Sequence, residues 1–309
     1  MACCIPARQD KAPGTAGSAI APGAARIAQV YLTPISPCTF MMGNDGADAV
    51  AADGEGPVRR VSVDGFSIAA TTVTNRAFGD FVRATHYVTD AERLGSSFVF
   101  YLQIPPEPRM QVRQALKDTP WWLPVADASW QRPEGPGSHI YERLDHPAVH
   151  VSWNDAQAYC TWTGARLPTE AEWECAARGG SDGARFPWGD DLMRNNVPRC
   201  RVWRGSFPHA PETDWRPEPI AAADGEPNAF GLINVCGNVW EWCADWFSPS
   251  YQVETTPENP RFTQPTGRRS MRGGSFLCHD SYCNRYRIAA RSSNTPGSSS
   301  SNLGFRIAK

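Results

Sequence analysis

No stretch of the 309-residue chain approaches the roughly 18 consecutive apolar residues that cross a bilayer, so no membrane partner is expected. Charge of one sign is also missing. The chain has 30 Lys+Arg and 32 Asp+Glu, and 30 − 32 = −2, whereas nucleic-acid binders usually carry a basic surplus. No repeat recurs at a period of 20–50 residues, which argues against solenoids and propellers. Neither a Rossmann nor a P-loop glycine pattern occurs, and His146 and His150, though spaced His-x-x-x-His, flank a strand-like run and offer no zinc or non-haem iron helix. The ten cysteines, about 3% of the chain, are too sparse for a disulfide framework. The opening residues lack a basic start followed by an apolar run of 7–15 residues. A cytoplasmic location with mostly buried thiols is therefore expected.

What is present points to a loop-rich fold. Hydrophobic residues make up 41%, enough for a sizeable core, while 12 Trp, 26 Gly and 27 Pro favour tight turns and irregular segments packed around large rings. Residues 1–28, rich in Ala, Gly and Pro, have too little apolar bulk to offset ordering entropy and read as a disordered leader. Residues 29–309 read as one domain. Residues 30–45 and 58–68 suggest two short strands around an acidic loop at 44–57. Thr74 or Asn75 opens a helix with Phe78, Phe81 and Val82 on one face. Asn154 begins a second helix that Gly164 closes, and Thr169 with Glu172 forms a capping box at the start of a third. Residues 270–277 and 304–308 read as short β runs. The fold class is α+β, a single irregular domain with little regular structure. Such long loops need support from aromatic packing, bound metal, or both.

The sharpest chemical feature is RGGSFLCHDSYCNRYR at 272–287. Cys278 and Cys283 follow a Gly-Gly turn and can converge on one point. Their spacing is wrong for a zinc knuckle, and a two-thiolate site suits Cu(I) better than Zn(II), which wants four ligands. An ordinary disulfide or two buried thiols are the alternatives. His279 either shields the thiols or faces solvent, and His146 and His150 read as packed core groups.

Residues 272–306 resemble the C-terminal active-site segment of the formylglycine-generating enzymes, the oxidases that convert a sulfatase cysteine to Cα-formylglycine. The resemblance extends through GLINVCGNVWEWCADW at 231–246, RLPTEAEWE at 166–174, HPAVHVSWNDAQAYCTW at 146–162 and HYVTDAER at 86–93, and spans residues 30–309. RLPTEAEWE and GNVWEW occur across a wider superfamily that includes ergothioneine-synthesis sulfoxide synthases and non-catalytic modules. The Cys-His-x-Ser-Tyr-Cys segment is more specific.

The resemblance implies a formylglycine-generating-enzyme or C-type-lectin-like fold. It implies Cu(I) held between Cys278 and Cys283, with Ser275, Tyr282 and Trp240 lining the pocket where dioxygen and the client thiol meet. It also implies structural Ca²⁺ held by side chains of Asn234 and Glu241 and backbone carbonyls of Gly237 and Val239. A second calcium loop of the family would begin where Arg201 stands, and arginine cannot ligate a cation. The family's disulfide from Cys160 would end at position 307, which is Ile307 here. The Ser-rich run at 292–301 looks like a linker by composition, but in the family it is an ordered loop. The implied partners are an unfolded or nascent sulfatase segment with a Cys-x-Pro-x-Arg motif and dioxygen, with the protein a monomer. An oxidase for another peptide thiol and a non-catalytic ligand-display module are the alternatives. A sulfur transferase of the ergothioneine type would need a clustered-His iron bundle, which the chain lacks.

Overall fold

The computed structural model describes residues 5–8, 30–105 and 116–309. The strands are β1 (Leu32–Ile35), β2 (Cys38–Met42), β3 (Arg59–Val63), β4 (Phe66–Ala69), β5 (Ser96–Phe100), β6 (Trp122–Ala126), β7 (Met193–Arg194), β8 (Val197–Pro198), β9 (Gly205–Ser206), β10 (Ala210–Pro211), β11 (Trp240–Trp246), β12 (Arg269–Arg272), β13 (Arg291–Asn294) and β14 (Leu303–Gly304). The helices are α1 (Asn75–Thr85), α2 (Asp90–Leu94), α3 (Trp153–Thr163), α4 (Glu170–Arg178) and α5 (Tyr251–Glu254). Only one sheet has more than two strands among the described residues, in the order β13-β12-β11-β14.

Local chemistry explains the helix ends. Thr74 caps α1 by accepting from the Ala77 amide, and His86 closes it in the left-handed region. The capping box of Thr169 and Glu172 opens α4 as expected. The helix expected from Asn154 starts one residue earlier, because Ser152 and Asp155 form another capping box around Trp153. Thr89 and Glu92 cap α2 in the same way; that Thr-x-x-Glu signal is present in the sequence and was not read as a helix. The two N-terminal strands expected are four, since the first run breaks into β1 and β2 and the second into β3 and β4, which pair across the runs as β1 with β4 and β2 with β3.

The leader lies outside the described residues except for 5–8. Ile5 is buried, and the Asn294 side-chain amide donates to the Pro6 carbonyl (3.1 Å). The linker-like composition at 292–301 misleads: Ser298–Ser301 are buried. Ser299 shares a hydrogen bond with Ser97 (2.7 Å), the Ser301 amide donates to the Phe98 carbonyl (2.9 Å), and the His150 amide to that of Ser300 (2.9 Å). Composition counts serines as solvated and cannot show that neighbouring loops supply their partners.

The loops are held by aromatic packing and by something the sequence did not announce, a set of buried arginine–carboxylate pairs. Arg291 bonds both oxygens of Glu170 (2.7 Å each), Arg287 both of Glu55 (2.7 and 2.8 Å), and Arg306 both of Glu241 (2.6 and 2.7 Å). Arg178 and Arg272 share Glu174. Burial alone would raise the Glu170 and Glu174 carboxyls, but the adjacent guanidiniums hold both below the usual glutamate value.

Six described cysteines form no disulfide: Cys160, Cys200, Cys236, Cys243, Cys278 and Cys283. The expectation of thiols fails for Cys38 and Cys175, which a disulfide joins between β2 and α4. Cys160 and Ile307 lie in the same apolar core cluster.

His150 is fully buried and hydrogen-bonded, as expected of a core group. Its Nε2 donates to the Pro133 carbonyl (2.8 Å), which leaves Nδ1 to accept from Ser97 (2.7 Å). Burial lowers its pKa to about 3. The unfolded chain, with an ordinary histidine near 6.5, then binds the extra proton, so stability falls as pH drops from about 6.5 toward 3. His150→Gln is expected to remove a slope of at most about 1.4 kcal/mol per pH unit from urea-unfolding free energies in that window. Equal slopes in variant and parent would refute this assignment.

Candidate active site

Strand β12 stops at Arg272 because Gly273 (φ +90°) and Gly274 (φ +72°) take left-handed conformations. A Cβ on Gly274 would lie 2.7 Å from the Arg285 carbonyl, so only glycine lets the outgoing chain pass its own return. The turn carries Ser275 to Cys278 back against Tyr286. The Cys278 amide donates to the Ser275 carbonyl (2.9 Å), and the Ser275 amide points at the Cys278 sulfur (3.3 Å). The His279 carbonyl then accepts from the amides of Tyr282, Cys283 and Asn284 (3.1, 2.9 and 3.1 Å), which folds the intervening residues into one compact turn.

Both cysteines end up buried and outside any disulfide, Cys278 0% and Cys283 5% exposed, in one apolar cluster with Trp240 and Tyr286. Burial, then Asp280 and the thiols of Cys200, Cys278 and Cys283, push the Tyr286 hydroxyl well above the usual tyrosine value. Cys278 lines a cavity of about 190 Å³ with Trp203, Arg204, His279, Asp280 and Tyr286. A larger cavity of about 540 Å³, between α1 and residues 130–144, shares none of its lining. His279 sits in the turn, with Nδ1 2.7 Å from the Ser281 hydroxyl.

Tyr282 stacks on Phe207 (4.6 Å between centroids) and meets Trp121 edge-on (5.1 Å). Phe207 also packs on Trp203, whose amide donates to the Cys278 carbonyl (3.0 Å). These rings form an aromatic wall beside the thiol turn. Ser275 is fully buried, and its hydroxyl accepts from the Asn302 amide group (2.9 Å), while the Asn302 oxygen accepts from Ser300 (2.8 Å). The Trp240 amide donates to the Asn302 carbonyl (2.9 Å); its indole N–H is buried without a partner among the described residues. Buried donors seldom go unpaired, which marks this one as a group awaiting an acceptor. Asn302, Trp121 and Phe207 escaped sequence reasoning. Asn302 directly follows the Ser-rich run at 292–301, and the two rings come from loops far along the chain.

Two cysteines outside any disulfide, with no group of three or more His, Cys, Asp or Glu among the described residues, fit a two-coordinate soft ion and not a four-ligand zinc centre. The calcium set does not fit its ion. Both Glu241 oxygens are taken by Arg306, and Trp173 donates to one of them as well (2.7 Å). The Asn234 amide donates to the carbonyls of Ala222 and Asp224. Arg201, at the doubtful second loop, donates to the carbonyls of Arg216 and Glu218 and lies 4.8 Å over Trp215, so a resident guanidinium occupies that place.

An irregular α+β domain carrying a buried thiol pair beside an aromatic wall is the class that fold and site define. Residues 26–309 match the model of the sulfatase-modifying factor enzyme 1-like domain. A formylglycine-generating enzyme from Thermomonospora curvata is 52% identical over 275 residues, covering 87% of this chain and 90% of the relative. One from Streptomyces coelicolor is 53% identical over 270 residues, covering 87% and 86%. The chain belongs to the formylglycine-generating enzyme family. A Bos taurus relative named inactive Cα-formylglycine-generating enzyme 2 is 43% identical over 273 residues, covering 87% and 84%. The structure of PvdO from Pseudomonas aeruginosa, 23% identical, superposes with a TM-score of 0.65 over 90% of this chain and 93% of that one, a likeness of fold alone.

Proposed function

We propose that this chain oxidises a peptidyl cysteine of a sulfatase segment to Cα-formylglycine, using dioxygen and Cu(I) held by Cys278 and Cys283. The observation that carries the reading is the pair of buried cysteines on one turn, neither in a disulfide, of which Cys278 lines a cavity. The client carbon loses two electrons while dioxygen takes up four, so an external thiol reductant supplies the remaining pair. Cu(I), when bound, supplies a vacant soft position that holds the client thiolate next to dioxygen. The protein's own groups orient the reactants. Tyr282, Phe207 and Trp121 exclude water on one side, and Asn302 fixes the Ser275 hydroxyl.

Since a family member is named inactive, the fold does not decide the activity. The test is incubation of copper-loaded protein, dioxygen, a thiol reductant and a Cys-x-Pro-x-Arg peptide, followed by mass spectrometry for the aldehyde. No aldehyde, with the peptide recovered unchanged, would favour the display-module alternative; conversion only of peptides lacking the motif would favour another thiol client. Asn302→Ala frees the Ser275 hydroxyl. By the cost of misplacing a catalytic group by an ångström, the variant is expected to lose about 100-fold in kcat with little change in Cu(I) affinity. Full kcat in that variant would remove Asn302 from the positioning set.

A further inference from the structure

A second pair of free thiols lies outside the turn just described. Arg201 and Gly237 form an isolated parallel bridge, and the Asn238 amide donates to the Arg201 carbonyl (2.8 Å). Gly237 (φ +78°) permits this approach, since a Cβ there would stand 2.4 Å from the Arg201 carbonyl oxygen. Cys200 and Cys236 each precede a bridged residue, so the register sets them opposite one another. Both line one small cavity of about 20 Å³, a volume that admits a single water-sized occupant. Neither is disulfide-bonded.

We propose that Cys200 and Cys236 form a second two-thiolate site for a soft monovalent ion, distinct from the Cys278–Cys283 pair. The donor set selects the ion. Two sulfurs with no cluster of three or more His, Cys, Asp or Glu among the described residues cannot complete a tetrahedral zinc centre, whereas two thiolates suit Cu(I). Metal uptake exchanges two S–H protons for one monovalent cation, so the site gains one negative charge. Around Cys236, Glu241 opposes that charge and Arg272 and Arg287 offset it, while Arg199 and its partner Glu226 both line the cavity. Without metal, burial pushes the Cys200 thiol up to about 12 and Cys236 well above the usual value, the latter also through Cys200 itself; both sulfurs then stay protonated and inert until a metal displaces the protons.

The test is anaerobic titration of the reduced full chain with Cu(I) against a chromogenic competitor. Cys200→Ala/Cys236→Ala is expected to bind one equivalent fewer than the parent, whatever is found at Cys278 and Cys283. An unchanged stoichiometry overturns the proposal. A Cys278→Ala/Cys283→Ala variant that also loses one equivalent separates the two sites. X-ray absorption on the unmutated protein at saturation guards against misfolded variants. Sulfur-only coordination at every bound copper is expected, and nitrogen or oxygen ligands on the added equivalent refute the site.

Discussion

Cys278→Ser and Cys283→Ser are each expected to abolish aldehyde formation on the Cys-x-Pro-x-Arg peptide. Serine keeps the size of the side chain but offers a hard hydroxyl that does not ionise near neutral pH, so it cannot replace a soft thiolate. Loss of an outer-sphere partner already costs about 10–100-fold at metal sites, so loss of a ligand is expected to exceed about 100-fold. Both cysteines are buried and outside any disulfide, and no group of three or more ligating side chains stands ready to compensate among the described residues. The fold should persist, because neither sulfur belongs to the ion pairs that hold the loops. Circular dichroism and melting on the same samples separate lost chemistry from lost structure. If both serine variants turn over at the parent rate, the thiol pair is not the reactive centre.

The second large effect concerns stability. Glu241→Ala strands Arg306 with its charge buried and takes the acceptor from the Trp173 indole N–H (2.7 Å). Removing one partner of a buried pair costs about 3–5 kcal/mol. For a chain of this size each kcal/mol shifts Tm by roughly 2–4 °C, so a drop on the order of 6–20 °C is expected by scanning calorimetry. The same experiment tests calcium. If Glu241 holds the ion, EDTA should lower the parent Tm and leave the variant unmoved. If Arg306 is its true partner, EDTA should leave the parent unchanged while the substitution still melts it early.

Local signals in the sequence were sound where they described one segment and its own cap. Thr74, Gly164 and the Thr169–Glu172 box mark helix ends by chemistry contained within a few residues. Strand β11 was missed because WEWCADW is buried almost throughout and shows no polar alternation. The five buried arginines were invisible for a different reason. Arg272, Arg287, Arg291 and Arg306 look solvated by composition, and their glutamates lie 65 to 232 positions away. Arg178 alone pairs locally, four residues from Glu174. The thiol turn was legible from its Gly-Gly start and cysteine spacing, together with family resemblance. The Ser275–Asn302 contact depends on tertiary closure and was not.

The distal residues bear on how this protein is made. The Ser67 amide donates to the Lys309 carbonyl and that of Lys309 to Ser67, the Ala69 amide donates to Ile307, and Arg306 neutralises Glu241. During synthesis β4 and Glu241 therefore lack these partners until residues 306–309 have been added. A chain cut before Arg306 should yield insoluble material rather than a weakened catalyst.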